Sequence, residues 1–350
     1  MATSGQTGIL RQVPAQQFPG KKNSRDHFFL EITGTYFFPA LQSIISRFLV
    51  RMRSVPGFTM TKLLYALPAI AIAFCLILAA GCTGTTESTA SSAGPVPQGT
   101  SALSSAPAVS FNDTPVKYAE VNGVTLGYRE FGAGEPILMI QGFGATIDDW
   151  NQTFIGILAT KYHVYTYDHR GMGYSSDNNA TPSIAMYADD AAELMTTLGY
   201  DSMHIYGVSM GSTTAQQLVI DHPGRVKKLV LDSVTYSIRV PETKQLLGTI
   251  EMVNDSSTYP AGIRREAQAN LAWNGSWDNL SAIQKDVMLV EGTADVLTPD
   301  PVSVRMAGQI NGSWLVRFKG LPHAGSHYAP VEYGANALAF LGTDESPLNT

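Results

Sequence analysis

With 350 residues and 44% apolar side chains, the chain can bury a sizeable core, and one α/β domain of roughly 250 residues plus extra segments suits that length better than two large domains. The formal charge of −6 is uneven: residues 1–81 hold eight Lys and Arg against Asp26 and Glu31, a net +6, so the remainder carries −12. An acidic body without a basic patch excludes nucleic acid as a partner, because that binding requires Lys and Arg to neutralise phosphates. Both cysteines, Cys75 and Cys82, precede the folded region, which therefore forms no internal disulfide.

Residues 1–59 read as a non-structural leader or a mis-assigned start, with Met52 and Met60 as candidate true starts. Leu63 to Ala80 is apolar, with Lys62 before it and Gly81-Cys82 after it: a basic n-region, an h-region and a small-residue cleavage site. The segment Leu78-Ala79-Ala80-Gly81-Cys82 resembles the lipobox of prokaryotic lipoproteins, which implies a lipid anchor on Cys82 at the end of a 60–82 signal. An uncleaved transmembrane helix is the alternative, since the run is long enough to span. Either reading leaves the folded part membrane-anchored and outside the cytoplasm. Residues 83–110 are rich in Ser, Thr, Gly and Pro and read as a flexible linker.

From residue 111 to 343 apolar runs alternate with helical patterns. Val116 to Val121 and Thr125 to Glu130 predict a leading pair of strands, with Asn122-Gly123 as the hairpin turn. Ile137–Ile140, His163–Tyr167, Met203–Tyr206, Leu229–Leu231, Val287–Val290 and Trp314–Phe318 are short strands suited to burial on both faces. Helices are expected at Ile184–Leu198, Ser212–Ile220 and Val331–Leu341. This order predicts an α/β fold, a mostly parallel eight-stranded sheet with helices on both faces, whose sites gather at the carboxyl ends of strands. One insertion, residues 236–284, breaks the rhythm. Its Leu246, Leu247, Ile250 and Val253 have helical spacing, and a second helix is expected over Ile263–Trp273, making a small helical lid.

Gly207-Val208-Ser209-Met210-Gly211 places a serine between a strand and a helix. A turn that sharp holds its central residue in a strained conformation and exposes its hydroxyl, which makes Ser209 a candidate nucleophile. The alternative is a small-residue turn that only permits close packing. Gln141-Gly142-Phe143-Gly144 and Asp168-His169-Arg170-Gly171-Met172-Gly173-Tyr174-Ser175 add two further motifs in order. With them, Val116 to Leu341 resembles the α/β-hydrolase fold family in its lid-bearing serine esterase and lipase-like branch.

A serine hydroxyl requires a base, and the base an orienting carboxylate. Of the seven histidines, His323 and His327 follow the last strand. The resemblance implies that the base lies there. Gly320-Leu321-Pro322-His323 ahead of Pro330 fits the family frame in part and favours His323, with His327 as the alternative. A metal pair at this spacing is disfavoured because Gly325 interrupts any helix. For the acid, Gly292-Thr293-Ala294-Asp295 resembles the family's acid loop, and Asp232 is the rival. The resemblance also implies an oxyanion hole from the backbone N–H groups of Phe143 and Met210, with Gln141 standing where the family usually has His. Trp150, Leu297 and Trp273 are candidates for an apolar acyl pocket, with ordinary core or lid packing as the alternative for each of them.

These features imply a serine hydrolase that cleaves small or medium carboxylic esters through an acyl-enzyme, with no metal or organic cofactor. Members of the fold that form an alkyl ester on an elbow aspartate are excluded by Ser209. Carbon-carbon bond hydrolysis, cofactor-free peroxidase-like chemistry on the same triad, and a ligand-sensing non-catalytic member remain alternatives. The expected partners are a small acyl substrate and, through the N-terminal anchor, a membrane.

Overall fold

β1 (Lys117–Val121) and β2 (Val124–Phe131) form the leading hairpin, and its two turn residues, Asn122 and Gly123, take φ of 47° and 75°. Positive φ at both positions matches the right-handed twist of the strands, which is why Asn-Gly serves here. This computed structural model describes residues 109–344; the leader, the apolar run, Cys82 and nearly all of the expected linker lie outside the described residues.

The elements then follow as β3 (Glu135–Ile140), α1 (Gln152–Ala159), β4 (Tyr162–Tyr167), α2 (Ile184–Thr197), β5 (Met203–Val208), α3 (Met210–Asp221) and β6 (Val226–Asp232). An insert of α4 (Lys244–Asp255), α5 (Ala261–Ala272) and α6 (Trp277–Leu280) precedes β7 (Asp286–Gly292), α7 (Asp300–Ala307), β8 (Trp314–Phe318) and α8 (Pro330–Leu341). The eight strands lie in the order β1-β2-β4-β3-β5-β6-β7-β8. Only β1 with β2 and β2 with β4 run antiparallel; the other neighbours are parallel. The expected class and strand number are thus what the described residues form.

Burial on both faces explains the apolar strands. Along β3, Leu138 and Ile140 face the helices α2 and α3, whose Ala191, Leu194 and Leu218 are fully buried. Ile137 and Met139 face α1 and α8 through Phe154, Tyr333 and Phe340. A strand sandwiched in this way has no solvent side and so shows no alternation. The insert has its own small core, in which Leu246, Ile250 and Val253 of α4 meet Ala267 of α5 and Ile238. The helical spacing read from those side chains is therefore the spacing of a buried face.

Three helices have no counterpart among those expected: α1, the single-turn α6 and α7. The sequence of α1, QTFIGILA, buries five of its eight residues and offers no polar face, so it lacks the 3.6-residue alternation that marks a surface helix. Its start is set by Asn151, whose side chain accepts from the N–H groups of Thr153 and Phe154 at 3.0 and 3.1 Å. α7 is short and starts with Asp300-Pro301, a pair that reads equally as a turn. Among the described residues, no helix is long and apolar enough to cross a membrane.

Candidate active site

The carboxyl ends of β3, β5, β7 and β8 feed four loops into one place. β5 runs into Ser209, which sits at φ 54°, ψ −119°, a left-side conformation costly for any residue with a side chain. Its backbone N–H donates to Asp232 O at 2.9 Å, so the strained turn is anchored to β6. The flanking glycines are obligatory by contact: a Cβ on Gly207 would overlap the Gly211 carbonyl oxygen, and one on Gly211 would overlap the Ile140 carbonyl oxygen.

His323, between β8 and α8, reaches back across the sheet edge. Its Nε2 lies 2.8 Å from Ser209 Oγ and its Nδ1 lies 2.6 Å from Asp295 Oδ2. Because a carboxylate only accepts, Nδ1 carries the proton and Nε2 is left to accept from the serine hydroxyl. The His323 loop is fastened by the next residue, Ala324, at φ 54°, whose N–H donates to Ser233 Oγ at 2.8 Å.

Asp295 is buried in the loop after β7. Its Oδ1 accepts from the N–H groups of Leu297 (2.7 Å) and Thr298 (2.9 Å), and its Oδ2 from the Thr298 hydroxyl at 2.8 Å. Burial pushes the Asp295 carboxyl up, but the hydrogen bond and charge of His323 and the Thr298 bonds outweigh it and hold it at about 2. The rival Asp232 is engaged elsewhere, accepting from Tyr206 Oη at 2.9 Å and Ser233 Oγ at 3.0 Å. Burial pushes Asp232 up to about 6, against those bonds. The other histidine, His327, offers its carbonyl to Asn151 Nδ2 at 3.3 Å, and burial lowers its pKa. The structure thus brings Ser209, His323 and Asp295 together and leaves Asp232 and His327 outside that chain of hydrogen bonds.

The loop after β3 lies against the elbow: a Cβ on Gly142 would stand 3.2 Å from Ser209 Cβ. Phe143 is next to it, and Met210 is the first residue of α3, where backbone N–H groups have no partner within the helix. Gln141 turns its Oε1 onto the N–H of Gly142 at 2.9 Å, so it braces the loop from within.

A narrow cleft of about 260 Å3, including the space at its mouth, opens on Ser209 between Phe143, Thr213, Ile238, Leu246, Ile250 and Thr298. The three expected pocket residues do not line it. Trp150 is 3% exposed and packs on Phe154 and Tyr206 in the core under β5, because the chain has already turned away from the site into α1. Trp273 donates its indole N–H to Gln217 Oε1 at 3.0 Å and packs on the far side of Met210. Leu297 joins the small core of the insert. A larger groove around Asn122, Arg170, Asp189 and Arg225 shares no lining residue with the Ser209 cleft; in it Arg170 pairs with Asp190 and His222 with Asp189.

Three polar residues at the site escaped sequence reasoning. Thr298 and Ser233 hold the acid and the histidine loop, and Glu266 of α5 accepts from Gly144 N–H at 2.7 Å. Ser233 and Glu266 act on segments distant in sequence, whereas Thr298 braces Asp295 from three residues further along the same loop. Among the described residues, no group of His, Cys, Asp and Glu is arranged to hold a metal ion.

Residues 135–255 match the family model described as the alpha/beta hydrolase fold. The chain is 27% identical over 257 residues to the "Putative non-heme chloroperoxidase" of Synechocystis sp., covering 60% of this chain and 92% of that protein. It is 36% identical over 118 residues to the dihydrolipoyllysine-residue acetyltransferase component of the acetoin cleaving system of Cupriavidus necator, 33% of this chain but only 31% of that protein. The chain thus spans about a third of the length of that second relative. Among solved structures, a hydrolase from Pseudomonas aeruginosa superposes with a TM-score of 0.58 at 22% identity, over 67% of this chain and 100% of that one.

Proposed function

From the α/β-hydrolase fold of this chain we infer a serine hydrolase that cleaves carboxylic esters through an acyl-enzyme. The observation that carries this reading is the unbroken chain from Ser209 Oγ to His323 Nε2 at 2.8 Å and from His323 Nδ1 to Asp295 at 2.6 Å. His323 takes the hydroxyl proton as Ser209 Oγ bonds to the ester carbonyl carbon, and the carbonyl electron pair moves onto oxygen. The N–H groups of Phe143 and Met210 stabilise that oxyanion. His323 then gives its proton to the departing alkoxide, leaving an acyl-Ser209 that a water molecule, deprotonated by the same imidazole, hydrolyses. Asp295 keeps the ring in the required tautomer and stabilises the imidazolium.

The cleft at Ser209 is narrow and is lined by Leu246 and Ile250 of α4, which favours a short acyl group under a lid formed by α4 to α6. A fluorophosphonate probe should label the protein at Ser209, and Ser209→Ala should abolish both labelling and hydrolysis of nitrophenyl acetate. A folded wild-type protein that neither labels nor turns over any short ester would overturn the reading.

The similarity to a chloroperoxidase-named protein over 92% of its length favours one second reading, perhydrolysis. Hydrogen peroxide would replace water in attacking the acyl-Ser209, releasing a peracid. Peracid formation from acetate and peroxide that is lost in Ser209→Ala, without ester turnover, would favour it.

We also propose that the enzyme is membrane-anchored outside the cytoplasm, on the strength of the apolar run Leu63 to Ala80 and of Cys82. Metabolic lipid labelling lost in Cys82→Ser supports a lipid anchor, and a soluble cytoplasmic wild type sinks the placement.

A further inference from the structure

Glu266 is fully buried on α5, in the insert, yet its carboxylate serves two loops of the sheet. Oε2 accepts from Gly144 N–H at 2.7 Å, and Oε1 lies 3.0 Å from His169 Nδ1, the ring nitrogen donating, on the loop after β4. His169 is itself fixed by stacking on Tyr187, ring centres 4.8 Å apart. Gly144 directly follows Phe143, and Ala145 N–H donates to Gly142 O at 3.2 Å, so these residues form one tight turn. One side of that turn presses on Ser209 through Gly142, and the other is held by Glu266.

The packing around the carboxylate points the same way. A Cβ on Gly144 would touch Ile263 of α5 at 3.7 Å, and one on Gly262 of α5 would overlap the Gly171 carbonyl oxygen. Phe143 itself packs against both clusters that join the insert to the sheet. A buried carboxylate is costly unless its oxygens are satisfied, so Glu266 stays in place only while α5 is seated on both loops. We propose that Glu266 is a positioning residue that orients the Phe143 N–H toward the oxyanion by holding Gly144, so the oxyanion hole is completed only when the insert is closed. This rests on the reading of Ser209 as an ester-cleaving nucleophile. Substrate entry and transition-state stabilisation then depend on the same helix: lifting α5 opens the cleft and releases the turn.

The test compares full-length wild type, Glu266→Ala, Glu266→Gln and Glu266→Asp. Each is assayed for nitrophenyl acetate hydrolysis, for binding of a trifluoromethyl ketone whose serine adduct carries an oxyanion, and for its melting midpoint. Displacing an oxyanion donor without deleting it should lower kcat about tenfold to a hundredfold in Glu266→Ala, with KM changed less than about threefold. Ketone affinity should fall in parallel. Glu266→Gln, which still offers an oxygen to Gly144 and a second group to His169, should return kcat to within about threefold of wild type. A folded Glu266→Ala with wild-type kcat, a loss confined to KM, or a Gln variant as poor as Ala overturns the proposal. If Glu266→Ala does not fold, Glu266→Asp, too short to reach both loops, is read in its place by the same criteria. A wild type inert to both ester and fluorophosphonate fails the serine reading itself, which separates that failure from a failure at Glu266.

Discussion

Gly211, in the first turn of α3, lies directly against the carbonyl oxygen of Ile140 at the end of β3, with no room for a Cβ between them. This contact joins the helix that follows Ser209 to the strand that carries the Phe143 loop. Gly211→Ala should therefore cost about 1–3 kcal/mol or more, because the obstacle is backbone and cannot rotate away. Gly248, exposed within α4, has open space where its Cβ would go, and Gly248→Ala should gain about 0.5–1 kcal/mol from helix propensity. Thermal unfolding of the two variants checks the pair. Equal shifts in the same direction would refute the steric account.

Ser209 carries a strained backbone that glycine would relieve. Ser209→Gly should raise stability by about 1 kcal/mol, the order of the cost of such a conformation, whereas Ser209→Ala keeps the strain and gains nothing from its relief. Both should lose at least about 10³-fold in ester turnover. Denaturant melts of the two variants decide it: a Gly variant less stable than the Ala variant would mean that the turn is not strained.

Glu291 on β7 is buried, and burial together with the negative Asp295 and Asp232 pushes its carboxyl up to about 11 from an ordinary 4.5. Its Oε1 accepts from Gly292 N–H at 3.1 Å, and the acid stands beside the Asp295 carboxylate, to which only a protonated carboxyl could donate. The sign follows from which state binds the proton. Below 4.5 both folded and unfolded chains hold it; between 4.5 and 11 only the folded chain does, so stability falls as pH rises through that window. Up to about 3 kcal/mol is lost between pH 4.5 and 7. Glu291→Gln, neutral at every pH, should be the more stable protein at pH 7 and should flatten this slope. Asp295, held at about 2 instead of 3.8, has the opposite sense, its contribution present above 3.8 and lost as pH falls toward 2. Urea melts from about pH 2 to 9 measure both slopes, and parallel profiles for wild type and Glu291→Gln would show that the acid is not neutral in the fold.

Ile250 and Leu246 of α4 close the cleft above Ser209, so acyl length should be limited there. Acetyl and propionyl esters should be turned over faster than octanoyl, and Ile250→Ala should shift the optimum by two or more carbons. The cost in stability should be about 2–4 kcal/mol, since Ile250 is 1% exposed. A kcat/KM series across nitrophenyl esters tests this; an unchanged optimum in a folded variant would place the acyl chain elsewhere.

Much of this was legible in the sequence wherever the signal is local. The hairpin turn, the apolar strands and the serine between two glycines are each set by a few adjacent residues, because φ preferences, burial on both faces and steric room act over that distance. Asp295 and His323 were readable as loop residues after strands, through motif resemblance. α1 gives no signal because a helix buried nearly all round shows no periodicity, and for Trp150 the structure selects core packing over the pocket, its side chain being drawn in by Phe154 and Tyr206.

What only the tertiary structure decided are contacts between distant segments. Ser209 and His323 are 114 residues apart, and Glu266 and Gly144 are 122 apart. The preference for Asp295 over Asp232 and for His323 over His327 comes from motif resemblance along the chain, whereas the hydrogen bonds that join them and the protonated state expected of Glu291 belong to the tertiary structure. Each depends on which side chains the sheet order brings within 3 Å and shields from water, and that proximity has no period, spacing or composition to announce it along the chain. The sequence by itself determined the strands, most helices and the sharp turn at Ser209; folding determined what surrounds that turn.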